Sequence, residues 1–336
     1  MNKQDSWSRL LTAGLVSGAV PESTANEDPW PLCVLQGAGG WLGAMFILGA
    51  IAVPLLSFRH NEGGIIFGLG VVMTAVVIPL LRRQGGIVLT QFGLAMSLAA
   101  QGAVAGGLGV LCGDWGSIPA IGCAMCSSIL LLSTPQFVHR WWCAAIGCFA
   151  ILSLLDDYLY VLTGPLAVAI VALLLTTPRT VRYRAVTRPV GLGLACAWSL
   201  WFAVCLANRH RYEWSLSSGA LEVMAVTIAV IAVLRQARVS WPRIGPVLIV
   251  ALVPASLGLV IPGVSIALTL LLVAVAERER ALLVVSVSGL LLLIGVHYQL
   301  DHAMPLITKA AGLTGVGLAA LVLRIVSPYG WRKCHA

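Results

Sequence analysis

The chain has 336 residues, of which 59% are hydrophobic and only 10% are charged, where an ordinary soluble domain carries about 25% charged residues. This balance excludes a soluble globular enzyme and describes an integral membrane protein: an all-α, polytopic transmembrane helix bundle. The formal charge of +8 comes from arginines in short clusters between apolar runs rather than on one basic face. It therefore reports topology and points away from a nucleic-acid partner.

The first 30 residues differ from the rest. "SWSRLLTAGLV" predicts a short surface helix, and "PESTANEDP" is a polar, turn-rich connection. Lys3 and Arg9 precede an apolar patch, but Thr12, Gly14, Ser17 and Gly18 interrupt it, so a cleaved signal peptide is not expected. Residues 1–30 thus form a cytoplasmic N-terminal segment, and 31–336 a single multi-pass domain.

A membrane-crossing helix needs roughly 20 apolar residues. Apolar runs fall at residues 32–57, 63–81, 90–112, 116–133, 141–155, 158–177, 189–207, 216–234, 244–260, 262–276, 281–299 and 303–326. These predict twelve spans. Only "IPG" separates the ninth from the tenth, so ten spans with re-entrant pieces is the lower bound. The longest internal connection, "TPRTVRYRAVTRP", divides the runs six plus six, as in transporters built from two halves. No connection is long enough for a soluble catalytic domain, so any activity must be built from helices and their ends.

The basic residues test this parse, because cytoplasmic connections are rich in Lys and Arg. Alternating sides collects Lys3, Arg9, Arg82, Arg83, Arg140, Arg179, Arg182, Arg184, Arg188, Arg235, Arg238, Arg243, Arg278, Arg280, Arg324, Arg332 and Lys333 on one side. The other side receives Arg59, Arg209 and Arg211. Such asymmetry predicts both termini in the cytoplasm of a bacterial inner membrane.

Trp30, Trp115, Trp141, Trp142, Trp214, Trp241 and Trp331 stand at predicted span ends, where an amphipathic ring anchors at the interface. Gly39/Gly43, Gly64/Gly68 and Gly102/Gly106 have the four-residue spacing that lets helices approach closely, within one bundle or between two chains. Nine cysteines lie mostly inside apolar runs. The Cys123–Cys126 pair lacks the second ligand pair of a zinc site, so no disulfide framework, metal or other cofactor is expected.

Two ionisable residues interrupt apolar runs, Glu222 in the eighth and Lys309 in the twelfth. A charge at mid-bilayer costs about 2.5–3.5 kcal/mol on insertion scales and needs a partner or water. Both helices enter from the outer side and both residues lie about 10 Å deep, so they are expected to form an interior ion pair or to line one polar cavity. The bland alternative is a snorkelling lysine and a protonated glutamate packed on a neighbouring helix. The outer connections collect Glu62, Asp114, Asp156, Asp157, Glu213 and Asp301 with His60, His210, His297 and His302. The densest parts of this outer polar rim are Asp156–Asp157 and His297–Asp301–His302, a set suited to proton coupling or cation capture, or simply to solvating loops.

The runs "RLLTAGLV…PWPLCVLQGAGGWLGAMF", "LTQFGLAMSLAAQG" and "YQL…PLITKAAGLTGVGLAALVLR" together resemble a bacterial integral membrane family, domain of unknown function 4401. Near its end that family carries a tyrosine pair, a leucine and a Leu-Leu-x-Lys-Ser run. Tyr298, Leu300, Leu306 and Lys309 match this pattern, while His297 and Ala310 depart from it. The resemblance implies a neighbouring inner-membrane or periplasmic-facing partner, and no assigned activity.

Three functions are compatible with these features. The first is a non-enzymatic membrane module or subunit working with a neighbouring protein in the lipid bilayer. The second is a small-solute or proton-coupled transporter using Glu222 and Lys309. The third is an outer-face enzyme with Asp156 or Asp157 as general base. Broken helices would favour transport, and Gly164–Pro165, Pro254 and Pro262–Gly263 are where they are expected.

Overall fold

The computed structural model describes residues 11–12, 30–55, 62–83, 86–113, 116–155, 160–176, 183–207, 263–277 and 279–300. It also describes residues 220, 222–224, 226–228, 230–231, 307, 310 and 314. Among them are nine α-helices and no strand. These are α1 Trp30–Leu55, α2 Glu62–Arg82, α3 Ile87–Cys112, α4 Ser117–Ser133, α5 Phe137–Leu152, α6 Tyr160–Thr176, α7 Arg184–Ala207, α8 Val264–Ala276 and α9 Arg280–Leu300. The described positions between 220 and 231 are helical as well. Helix is the outcome these sequences demand, since in lipid every backbone N–H and C=O must find its partner inside the segment.

The spans Gly63–Arg82, Ile87–Cys112, Arg184–Ala207 and Arg280–Gln299 are long and apolar enough to cross a membrane, and the shorter helices are equally apolar. Large side chains such as Phe46, Leu132 and Leu291 face outwards, as expected where lipid rather than water is the surrounding medium. The chain is an all-helical membrane protein.

Local chemistry explains the ends. Gly113 closes α3 in the left-handed region at φ 64°, which a residue without Cβ adopts at little cost. Thr134 is extended (φ −115°, ψ 138°), as the residue before Pro135 must be, and α5 starts directly afterwards. Two starts lie upstream of expectation. Helix α5 begins at Phe137 and α7 at Arg184, so Arg140, Arg184 and Arg188 occupy first turns rather than loops. The apolar count missed them because these helix starts carry polar side chains whose heads reach the interface, and because α7 runs through Pro189 rather than starting at it.

The interior has two apolar cores. One gathers Ala44 of α1, Met73 and Val77 of α2, Ala100 and Val104 of α3, Leu130 of α4 and Cys143 of α5. The other gathers α6 to α9 around Trp198, Phe202, Ile266, Leu270 and Leu293. Helices α5 and α7 join them at Gly193, where a Cβ would meet the backbone N of Ala145 at 2.7 Å. Trp141 packs against the second core from this joint rather than standing only as an interface anchor.

Glycines hold α2 against α3, but not those expected. A Cβ at Gly63 would meet Leu111 N at 2.6 Å, one at Gly70 would meet Val104 N at 2.7 Å, and one at Gly107 would collide with Phe67. Gly39, Gly68, Gly102 and Gly106 have no neighbour within 4 Å among the described residues. Close packing of α2 on α3 therefore uses the face beside these positions, about 100° or more round the helix, and leaves Gly39, Gly68 and Gly102 exposed, while a Cβ at Gly43 would touch Phe92 of α3 at 3.9 Å.

One end of the bundle is tied together by polar contacts. Arg82 Nε donates to the Ser133 carbonyl at 2.8 Å and Gln136 to that of Leu81 at 3.2 Å. Arg140 donates from Nη1 to the Ala185 carbonyl at 3.0 Å, and Arg188 pairs with Glu279 at 2.6 Å. The ends of α2, α4 and α8 and the starts of α5, α7 and α9 thus lie side by side.

Candidate functional site

Glu222 is only 3% exposed. It lies on a buried stripe with Val226 and Val230, which pack against Leu272 of α8. Both of its carboxylate oxygens accept the backbone N–H of Gly263, at 3.1 and 3.2 Å. Gly263 sits at φ +81° immediately before α8, so the carboxylate caps the positive end of that helix. The expected intramembrane acid thus meets the start of α8 at Gly263, while Pro262 and the run before it lie outside the described residues.

The wall around this point is dense. A Cβ on Gly263 would meet the Phe202 ring at 2.7 Å and Leu293 at 3.2 Å. Phe202 stacks on Trp198 with ring centroids 5.1 Å apart. Trp198 is completely buried, and its indole N–H has no hydrogen-bond partner among the described residues. The Cζ2 edge of that indole faces Gly164 of α6, where a Cβ would lie 3.3 Å from Cζ2 and 2.8 Å from Ile266. The Gly164–Pro165 site therefore joins the same cluster. It does so inside a continuous helix, since α6 runs through Pro165: the glycine serves close packing of α6 on α7 and α8. The expectation of a broken helix there is corrected accordingly.

His297 was expected in a solvated outer turn, but its ring is buried, 6% exposed. It falls on the inward stripe of α9 with Leu282, Ser286, Leu290 and Leu293, at the spacing of three and four that keeps residues on one helix face. Lys309, Asp156, Asp157, Asp301 and His302 lie outside the described residues, as do Pro254, His60 and His210.

A second polar cluster has no counterpart in the sequence reading. Ser97 and Gln101 of α3, Ser127 of α4, Thr134 and His139 of α5 are each no more than 1% exposed. Thr134 donates its hydroxyl to the Leu130 carbonyl at 2.8 Å, so toward the His139 Nδ1, 2.6 Å away, its oxygen accepts. The neutral ring then carries its proton on Nδ1 and leaves Nε2 bare, and the Ser97 hydroxyl donates into it at 2.7 Å. Gln101 donates to the Ser97 carbonyl at 3.3 Å, and Ser127 donates to the Gln101 oxygen at 2.7 Å. The chain of bonds has one direction and joins three helices. A signal for it exists in the sequence: Ser97/Gln101 and His139/Cys143 each have the four-residue spacing of a polar stripe on one helix face.

At the arginine-rich end, the Arg188 guanidinium lies 5.2 Å above the Phe137 ring while it pairs with the nearly buried Glu279 at the start of α9. This links α5, α7 and α9 through one side chain.

The chain belongs to the family described as Domain of unknown function (DUF4401), which matches residues 29–329. No curated protein and no solved structure matches it.

Proposed function

We propose that this member of the DUF4401 family is a twelve-span bacterial inner-membrane protein that moves a small solute or a proton through an interior site built on Glu222. The observation that carries this reading is the buried Glu222 carboxylate held on the Gly263 N–H at the start of α8, next to the interruption expected at Pro262–Gly263. Membrane carriers bind their cargo where a helix is interrupted and its terminus points inward. The topology, with both termini cytoplasmic, draws support from the gathering of Arg82, Arg140 and Arg188 at one end of the bundle.

Lys309 is the partner proposed for Glu222 as cargo passes. Ile307, Ala310 and Thr314 of the same predicted run are exposed. Asp156, Asp157, Asp301 and His302 form the mouth of the pathway. The test is chemical access. A cysteine at position 222 should react with a membrane-impermeant thiol reagent added from the periplasmic side of intact spheroplasts. A cysteine there that reacts only after detergent is added would sink the transport reading.

One observation favours a second reading, a non-enzymatic module that docks on a neighbouring membrane protein. Gly39, Gly68, Gly102 and Gly106 present small-residue faces outwards, the surface through which membrane helices associate. Replacing Gly102 and Gly106 by leucine should then abolish co-purification of that neighbour and leave the monomer folded. Unchanged co-purification would refute it.

A further inference from the structure

The contact between Glu222 and the start of α8 depends on the charge of the carboxyl group. Both oxygens share one N–H, that of Gly263, and among the described residues it is the one donor they have. Gly263 stands at φ +81° beside Phe202 and Leu293 and carries no titratable group. The adjustable member of the contact is therefore the carboxyl group.

We propose that Glu222 is a proton-binding site whose occupancy sets how firmly the start of α8 is held. The inference rests on the transport reading, and it names the proton as a species this site takes. As a carboxylate, Glu222 offers both oxygens to Gly263 in a charge-assisted hydrogen bond, roughly twice as strong as a neutral one, and places its charge at the positive end of the 13-residue α8. Proton uptake forms one O–H bond on the carboxyl group and breaks no covalent bond. That oxygen turns from acceptor to donor, the Gly263 N–H keeps one neutral acceptor, and the attraction to the helix end disappears. The first turn of α8 then loosens against α7 and α9, the motion that an interrupted helix needs to admit cargo.

The other titratable groups on the surrounding elements are few. Helix α7 carries Cys196 and Cys205, with Arg184 and Arg188 near its start, α9 carries His297 and Tyr298, with Arg280 at its start, and α8 has none before Glu277, which lies beyond its far end.

The test is hydrogen–deuterium exchange on the full-length protein in liposomes, read by mass spectrometry in peptides covering residues 263–270 at pH 6 and pH 9, with intrinsic rates corrected. In the wild type these amides should exchange several-fold more slowly at pH 9. Glu222→Gln should exchange at the faster rate at both pH values, and His297→Gln should keep the wild-type response. Exchange that does not depend on pH in the wild type overturns the proposal without any variant. So does a wild-type pH response that survives in Glu222→Gln. The outcome separates from that of the transport reading: a water-accessible cysteine at 222 with no pH response removes the latch and keeps the pathway, and the reverse result removes the pathway alone.

Discussion

Replacing His139 by alanine should destabilise the bundle by about 3 kcal/mol, whereas replacing it by glutamine should cost less than about 1 kcal/mol. The ring is 1% exposed, and it makes hydrogen bonds of 2.7 Å to Ser97 and 2.6 Å to Thr134. Side-chain hydrogen bonds between membrane helices contribute about 0.6–1.7 kcal/mol each. Two of them, together with a cavity the size of an imidazole that packed neighbours fill only in part, give the alanine figure. The loss stays moderate because Thr134 retains its bond to the Leu130 carbonyl, and the freed Ser97 hydroxyl can turn to a carbonyl of its own helix. Glutamine supplies one donor for the Thr134 oxygen and one acceptor for the Ser97 hydroxyl, the same pattern as the neutral Nδ1–H ring. Reversible unfolding in mixed micelles, titrated with a denaturing detergent, measures the difference. Equal destabilisation by glutamine and alanine would refute the directed hydrogen-bond chain and leave His139 as packing volume.

Gly263→Ala should destabilise by about 2–5 kcal/mol, since alanine in the left-handed region costs about 1–2 kcal/mol and overpacking against Phe202 and Leu293 adds about 1–3 kcal/mol; the same unfolding titration checks it. Arg188→Ala should cost about 1–2 kcal/mol, discounted for a guanidinium that is 41% exposed, because it strands the nearly buried Glu279 carboxylate. A cost within about 0.5 kcal/mol, the range of ordinary surface changes, would show the pair is idle. Exchanging the charges, Glu222→Lys with Lys309→Glu, should restore membrane expression that either single change lowers. A double variant no better than the singles would rule out direct pairing.

Much of the architecture is legible because lipid imposes a simple rule: an apolar run must fold as a helix to satisfy its own backbone. Nine of the twelve predicted runs correspond to the helices described, with ends displaced by a few residues where proline and first-turn arginines blur the apolar count. Glu222 was also legible as an acid out of place in an apolar run, and Gly263 as the start of a helix. Their meeting was not, since 41 positions separate Glu222 from Gly263 and no local spacing records it.

Which face of each helix turns inward was decided only by the tertiary packing. The expected glycine pairs share helices with Gly63, Gly70 and Gly107, yet a rotation of one residue moves close contact from one set to the other. His297 has the composition of a loop residue and the position of a core residue, because it continues the stripe of Leu290 and Leu293. His139 carried no charge pattern to betray it, and its partners Ser97 and Thr134 stand on α3 and at the end of α4. The sequence by itself determined a helical membrane protein, its basic end and its family, because these follow from composition along the chain. The tertiary structure decided which polar groups touch, because in a bundle of apolar helices partner choice depends on rotation and depth, and neither is written in the apolar runs.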